Sequence, residues 1–362
     1  MCKKYGKILV VNTFGIGDVL FSTPMIKALK ARIPGARIDA MCNERGRRIL
    51  QYNPDINEII VFEKDDFRAA FKKSKFSFAA KTIQFIKAIR RREYDLAIDL
   101  SLGHQISLVL SLAGVKKRIG FNYRNRGRFL TDKMNIGGFN DKHVVEYYLD
   151  ILKLIGIEKI YEKNLMLPLS SKIVLWSDSF LAQKGLTDKI LVGLAPGGGK
   201  SWGKYAVYRR WDPSNFAYLA EKISAKRKGV HFLIFGSPEE KDIARSMEGG
   251  LTGKITNLCG KLSLSEVITL IGKCALLICN DGGLLHIAVS QGVKTVSIFG
   301  PVDEKIYGPY PSSARHIVVK AENVRCRPCY KNFKHRMCET HHCLKKIDKN
   351  KVLKLAEASL EM

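Results

Sequence analysis

Asp281-Gly282-Gly283 and, one helical turn later, His286 stand between two apolar runs, Ala275–Cys279 and Thr295–Phe299. The flanking runs read as buried parallel strands and the segment between them as a short helix, with Asp281 at its N-cap and Gly292 just past its end. Two glycines in a first helical turn cost stability, which makes sense where a ligand approaches the backbone closely. A helix N-terminus offers unpaired N–H groups to an anion, so the chemistry indicated is phosphate binding at the carboxyl edge of a parallel sheet. An ordinary cap and a core histidine account for the same residues without a ligand.

A second group follows the apolar run Lys7–Val11. Here Gly15-Ile-Gly17-Asp18 leads into Val19–Arg32, whose apolar residues repeat at helical spacing. Gly15-x-Gly17 is part of a dinucleotide fingerprint, and Asp39 ends the next strand where a ribose-binding acid would sit, but the third glycine is missing. Asp18 is either the helix cap or a general base. A third group, Gly197-Gly198-Gly199-Lys200-Ser-Trp202-Gly203-Lys204, is long enough to wrap a ligand but lacks P-loop spacing, and Arg209-Arg210-Trp211 follows it. Arg124, Arg126 and Arg128 crowd one loop, suited to phosphate or carboxylate groups or simply solvated. Cys326, Cys329, Cys338 and Cys343, interspersed with His335, His341 and His342, have the density of a zinc knuckle without a standard spacing. A structural metal and reduced thiols both remain open there.

The elements that must position these groups alternate. Strands are expected at Lys7–Val11, Arg37–Met41, Glu58–Phe62, Tyr94–Leu100 and Lys117–Phe121, then again at Ile190–Leu194, Val230–Gly236 and Ile255–Leu258, with helices between them. That pattern predicts two successive α/β domains, 1–170 and 171–362, the second carrying the cysteine-rich tail and a C-terminal helix over Asn350–Leu360. Residues Phe67–Arg92 hold nine Lys or Arg and no acid. On one ideal helix Phe67, Phe71, Phe78, Phe85 and Ile89 form a stripe that packs on its own domain or lies on lipid, and a break near Ser74–Ser77 would divide it. The chain has 362 residues and a formal net charge of +27, which attracts a polyanion: nucleic acid, an anionic membrane or an acidic substrate. No apolar run approaches the roughly 20 residues that span a bilayer, and no signal-peptide core follows Met1, so a cytoplasmic protein is expected.

Taken in order, Gly15-Ile-Gly17-Asp18, Tyr94-Asp-Leu-Ala-Ile-Asp99-Leu, Arg118-Ile-Gly-Phe121, Arg209-Arg210-Trp211, Gly260-Lys261-Leu262, Asn280-Asp281-Gly282-Gly283-x-x-His286-x-Ala288 and Phe299-Gly-Pro301 resemble one family nearly end to end. It is glycosyltransferase family 9, the ADP-heptose:lipopolysaccharide heptosyltransferases. The resemblance implies a GT-B architecture, two Rossmann-like domains facing across a cleft, and an inverting transfer of heptose from ADP-heptose to the lipopolysaccharide inner core without metal or cofactor. It implies Asp18 as general base, and Lys200, Arg209, Glu240, Lys261, Leu262, Asp281, Gly282, Gly283 and His286 as donor-binding residues. Gly15, Gly17, Arg118, Arg124, Arg126 and Arg128 are assigned to the acceptor. Arg209 departs from the family's lysine, and Gly282 from its Thr or Ser. The implied partners are a nucleotide sugar, an anionic lipopolysaccharide precursor and an anionic membrane surface, with no nucleic acid, placing the enzyme peripherally on the inner face of the inner membrane. Alternatives are a transferase of the same fold with another sugar or acceptor, a basic nucleic-acid-binding protein, and a dinucleotide oxidoreductase.

Overall fold

Short runs rich in Val, Ile and Leu, bounded by glycine and charged residues, favour strands buried on both faces, and such strands pair in parallel under helices. The computed structural model, which describes residues 5–249, 251, 253–334 and 336–361, follows that rule twice. The chain divides into two units, Met1–Met166 and Leu167–Met362.

In the first unit β1 (Lys7–Val11), β2 (Arg37–Cys42), β3 (Glu58–Val61), β4 (Leu96–Asp99), β5 (Lys117–Tyr123) and β6 (Asp132–Ile136) form one parallel sheet in the order β3-β2-β1-β4-β5-β6. Connections are α1 (Ile16–Phe21), α2 (Thr23–Arg32), α3 (Glu44–Leu50), α4 (Lys64–Lys73), α5 (Lys75–Arg90) and α6 (Gln105–Leu112), with α7 (Val144–Ile151) after β6. The chain winds outward from β1 to β3, then returns to β4 on the other side of β1, creating a switch point where Val11 pairs with Asp99. Leu9, Val11, Met41 and Ala97 of the sheet form a buried cluster with Ile89 of α5 and with Ile106 and Leu110 of α6.

Two expected helices are divided. Val19–Arg32 is broken at Ser22, because Pro24 has no N–H to give Leu20 and its ring crowds that carbonyl. The Thr23 hydroxyl donates to Leu20 O at 2.7 Å instead. The basic segment breaks at Ser74, whose extended backbone (φ −169°) lets its hydroxyl accept from Ser77 N at 2.9 Å and cap α5. The single stripe therefore splits: Phe67 and Phe85 pack on Phe62, with ring centroids 5.0 and 5.3 Å away, while Phe71 and Phe78 meet each other at 5.5 Å on an exposed face. Strand β6 was hidden in the sequence because an edge strand half exposed to water carries no apolar run.

The second unit repeats the pattern with β7 (Ile190–Ala195), β8 (Val230–Ile234), β9 (Ile255–Asn257), β10 (Leu276–Asn280), β11 (Lys294–Phe299) and β12 (His316–Lys320), all parallel, in the order β12-β11-β10-β7-β8-β9. Its helices are α8 (Ser171–Gln183), α9 (Pro213–Lys226), α10 (Lys241–Arg245), α11 (Leu264–Gly272), α12 (Gly283–Ser290), α13 (Glu304–Tyr307), α14 (His342–Lys345) and α15 (Lys349–Glu361). Phe216, Leu219 and Ile223 of α9, and Val352 and Ala356 of α15, share one core with Val192, Phe232, Ile278 and Ile298. Each of these side chains larger than alanine contributes about 1.5–3 kcal/mol over leaving it in water. The switch point here lies between β7 and β10, so the glycine loop and the Asp281 turn leave the same edge side by side. Two α/β units of this kind are the components of a GT-B fold.

Candidate functional site

The second unit brings a glycine turn and a buried arginine together at that edge. Helix α12 begins at Gly283 with Gly282 as N-cap, so Asp281 is not the cap expected from the sequence. The Asp281 carboxylate turns instead to Arg209, with Nη2 to Oδ2 at 2.7 Å and both side chains under a tenth exposed. Burial, foremost, raises the Asp281 carboxyl, and Arg209 opposes that shift. Arg209 lies with its guanidinium carbon 4.7 Å from the Trp202 ring centroid, and its buried Nε has no hydrogen-bond partner among the described residues. A buried guanidinium N–H left without an acceptor is costly. A Cβ built on Gly282 lies 4.0 Å from Arg209 Nη2, so the turn and the guanidinium border one space.

Asn280, at the last position of β10, ties the corner together. Its Nδ2 donates to Pro196 O at 2.7 Å and its Oδ1 accepts from Trp211 N at 3.1 Å, stapling the glycine loop and the Arg209-Arg210-Trp211 segment to the strand. Glu240 is buried beneath the loop, accepting from Gly199 N at 3.1 Å and Ser237 N at 2.8 Å. Its carboxylate is a strut for the loop, and a Cβ on Gly198 would lie 2.3 Å from Ala206 O, which is why glycine stands there. Exposed Lys261 and half-buried Leu262 sit in the loop after β9, on the same edge. His286 is buried within α12. The side chain of Lys200 lies outside the described residues.

In the first unit Gly15 is the N-cap of α1, Gly17 lies in its first turn, and Asp18 occupies the third position, its Oδ2 accepting from Gly15 N at 3.2 Å. Asp18 therefore satisfies one free helix N–H and keeps a carboxylate at the carboxyl edge of β1. Neighbouring Asp99 ends β4 fully buried and accepts from Ser101 N at 2.9 Å; burial pushes it up to about 6. Lys64, at the start of α4, carries its ammonium 5.7 Å from the Phe14 ring centroid, and burial lowers it. Arg124, Arg126 and Arg128 are exposed in the loop after β5. Arg118 is spent within the chain, donating to Phe129 O at 2.7 Å and to Val115 O. Asp39 is occupied too, taking the Tyr94 hydroxyl at 2.8 Å inside the sheet, which removes the ribose role of a dinucleotide fold.

The cysteine-rich tail packs beside Trp202. Cys329, Cys338, Cys343 and His341 border a cavity of about 20 Å³ together with Trp202 and Tyr330, whose rings are 4.8 Å apart. Among the described residues no three His, Cys, Asp or Glu side chains are gathered closely enough to hold a metal ion. His335 lies outside the described residues. Asn280, Lys64 and Asp99 were not singled out in the sequence for these roles, because each looks like an ordinary strand or helix terminus until its neighbour across the sheet is known.

A model of the family described as glycosyltransferase family 9 (heptosyltransferase) matches residues 82–337, more than half of the chain. Lipopolysaccharide heptosyltransferase 3 of Escherichia coli is 25% identical over 307 residues, 82% of this chain and 84% of that protein. Among solved structures, a glycosyltransferase family 9 protein from Veillonella parvula superposes with a TM-score of 0.82 at 25% identity, covering 100% of this chain and 99% of its own. Escherichia coli ADP-heptose lps heptosyltransferase II does so with a TM-score of 0.76 at 23% identity, covering 98% of both chains.

Proposed function

Since this chain belongs to glycosyltransferase family 9 and is a glycosyltransferase, we propose that it transfers heptose, with inversion, from ADP-heptose to the inner core of a lipopolysaccharide precursor. The observation that carries the donor half is the buried Arg209, held by Asp281, with its Nη2 4.0 Å from a Cβ built on Gly282 at the start of α12 and its buried Nε without a hydrogen-bond partner among the described residues. The diphosphate lies against that guanidinium and the free N–H groups of α12, with Lys261 and Leu262 further along the same edge. The first unit supplies the base. Asp18 removes the proton of an acceptor hydroxyl as its oxygen bonds to the anomeric carbon; the bond from that carbon to the donor phosphate breaks, and the electron pair leaves on ADP. Arg209 and the helix N-terminus stabilise the charge that develops there.

The acceptor is anionic and membrane-borne in this reading, and the first unit offers it Arg124, Arg126 and Arg128. The same unit presents the α4–α5 hairpin to an anionic bilayer: Phe71, Phe76 and Phe78 are 60%, 84% and 36% exposed among Lys72, Lys73 and Lys75. Among the described residues no helix is long and apolar enough to cross a membrane, so attachment is at the surface.

Calorimetry with ADP, UDP and GDP tests the donor assignment. ADP is expected to bind tightest, without added magnesium, and Arg209→Ala to weaken it tenfold or more. Equal affinity of parent and variant, or binding only with a divalent ion, overturns it. Transfer from ADP-heptose to a lipopolysaccharide precursor lacking the heptose completes the test.

A further inference from the structure

The cysteine-rich tail has no part in the proposed reaction, yet it packs on the segment that carries Arg209. That segment, the 3-10 turns Lys200–Arg209, starts after Gly199 (φ 70°) and is interrupted at Gly203 (φ 51°). A backbone with glycine at its start and again in its course has little stiffness of its own, so its side chains must be fixed by their neighbours. Trp202, between the two glycines, carries the Arg209 guanidinium carbon 4.7 Å from its ring centroid. The same ring meets Tyr330 of the tail at 4.8 Å, the planes inclined by 37°. Next to Arg209, Tyr208 donates its hydroxyl to Met337 Sδ at 3.5 Å and sets its ring 5.0 Å from that of His341. The tail thus holds the segment at two points.

The tail is anchored in turn to the loop after β11. Arg327 Nε donates to Gly300 O at 2.9 Å, and its Nη2 to Val302 O at 3.1 Å and Glu304 Oε2 at 2.6 Å. Cys329 N and Tyr330 N both donate to Pro301 O, at 3.0 and 3.1 Å. Tyr330 therefore has a fixed backbone from which to hold the Trp202 ring. Arg209 needs such a hold. The Asp281 carboxylate takes its Nη2 at 2.7 Å, which restrains one end of a planar fork, whereas an aromatic face restrains the plane itself.

We propose that Trp202 and Tyr330 are positioning residues for the donor: Tyr330 holds the Trp202 ring against the Arg209 guanidinium, and the tail sets the affinity for a nucleoside diphosphate through that contact. The inference rests on Arg209 holding the donor diphosphate. Both aromatic side chains are half-buried, so removing either costs the fold little while releasing the guanidinium.

The test measures ADP affinity by calorimetry, donor and acceptor KM, and thermal midpoint in Trp202→Leu, Tyr330→Ala and Tyr330→Phe, with Trp202→Leu repeated in the Arg209→Ala background. Trp202→Leu is expected to weaken ADP about fivefold or more and Tyr330→Ala by a smaller factor, with donor KM rising, acceptor KM unchanged and midpoints near that of the parent. Tyr330→Phe keeps the ring and is expected to bind ADP as the parent does. Once Arg209 is alanine, Trp202→Leu costs nothing further. Parent-like affinity in Trp202→Leu or in Tyr330→Ala, with Arg209→Ala weakened, overturns the positioning role and leaves the donor assignment standing. A further loss in the Arg209→Ala background also overturns it, since Trp202 then meets the donor itself. Weakening that comes only with a marked fall in midpoint overturns it in favour of packing. Parent-like affinity in Arg209→Ala removes the donor assignment, and this inference with it.

Discussion

As the proposed base, Asp18 would serve the fold and the chemistry together. It satisfies Gly15 N–H at 3.2 Å, a task that asparagine performs through its side-chain oxygen. Asp18→Asn is therefore expected to keep the thermal midpoint and the ADP affinity of the parent while turnover falls on the order of 10²–10⁴-fold, measured at saturating donor and acceptor. The glycines around Arg209 divide by the same kind of reasoning. A Cβ on Gly282 meets nothing nearer than 4.0 Å, so Gly282→Ser is expected to fold as the parent does and to bind ADP at least as well. On Gly198 the Cβ would press to 2.3 Å against the Ala206 carbonyl, which is backbone and cannot rotate away. Gly198→Ala is expected to lose on the order of 1–3 kcal/mol in denaturant titration and to weaken ADP binding with it.

At the scale of the element, the α4–α5 hairpin is the part of the first unit least explained by packing. No residue of α4 is buried, and α5 buries only Ile89. Such a pair gains little from its own core, so its exposed phenylalanines and lysines need another use. Replacing Lys72, Lys73 and Lys75 by Glu is expected to abolish, at low salt, binding to vesicles containing anionic lipid, since each lysine near such a surface contributes about 1 kcal/mol. Phe71→Ser with Phe76→Ser is expected to remove the binding that survives high salt, because screening weakens charge contacts and leaves apolar insertion alone. Flotation of both variants at low and high salt measures this, and parent-like flotation of both would reduce the hairpin to a solvated one.

For the whole molecule, half-buried Glu304 and buried Asp99 set opposite pH dependences. Glu304 is raised by burial but held down by Lys320 and Arg327, to a net value of about 2. Its folded value is depressed, so its contribution is present above the unfolded value near 4.3 and is lost as pH falls from there towards 2. Asp99 runs the other way: burial lifts it from 3.8 to about 6, so the folded chain binds the extra proton and stability declines as pH rises through that window. Asp99→Asn retains an acceptor for Ser101 N–H and is expected to raise the thermal midpoint at pH 7 but not at pH 3.5. Glu304→Gln is expected to lower it at pH 7 and to flatten the acid limb. Melting curves from pH 3 to 8 separate the two.

The local residue pattern already determined the two α/β units, the parallel strands from Lys7–Val11 to Thr295–Phe299 and the glycine turns at their ends. Burial on both faces requires continuous apolar runs, and a sharp exit from a strand towards a ligand requires glycine. The resemblance carried by Asp18, Arg209 and the Asp281 turn was legible for the same reason, since each sits at a fixed offset from such a run. Tertiary structure alone decided who meets whom. Arg209 reaches Asp281, Asn280 reaches Pro196 and Asp99 lies beside Val11, because β10 pairs with β7 and β4 with β1, an order that no periodicity within a strand encodes. Arg118 and Asp39 carried charges suited to a ligand in the sequence, yet the fold spent them on Phe129 O and on the Tyr94 hydroxyl.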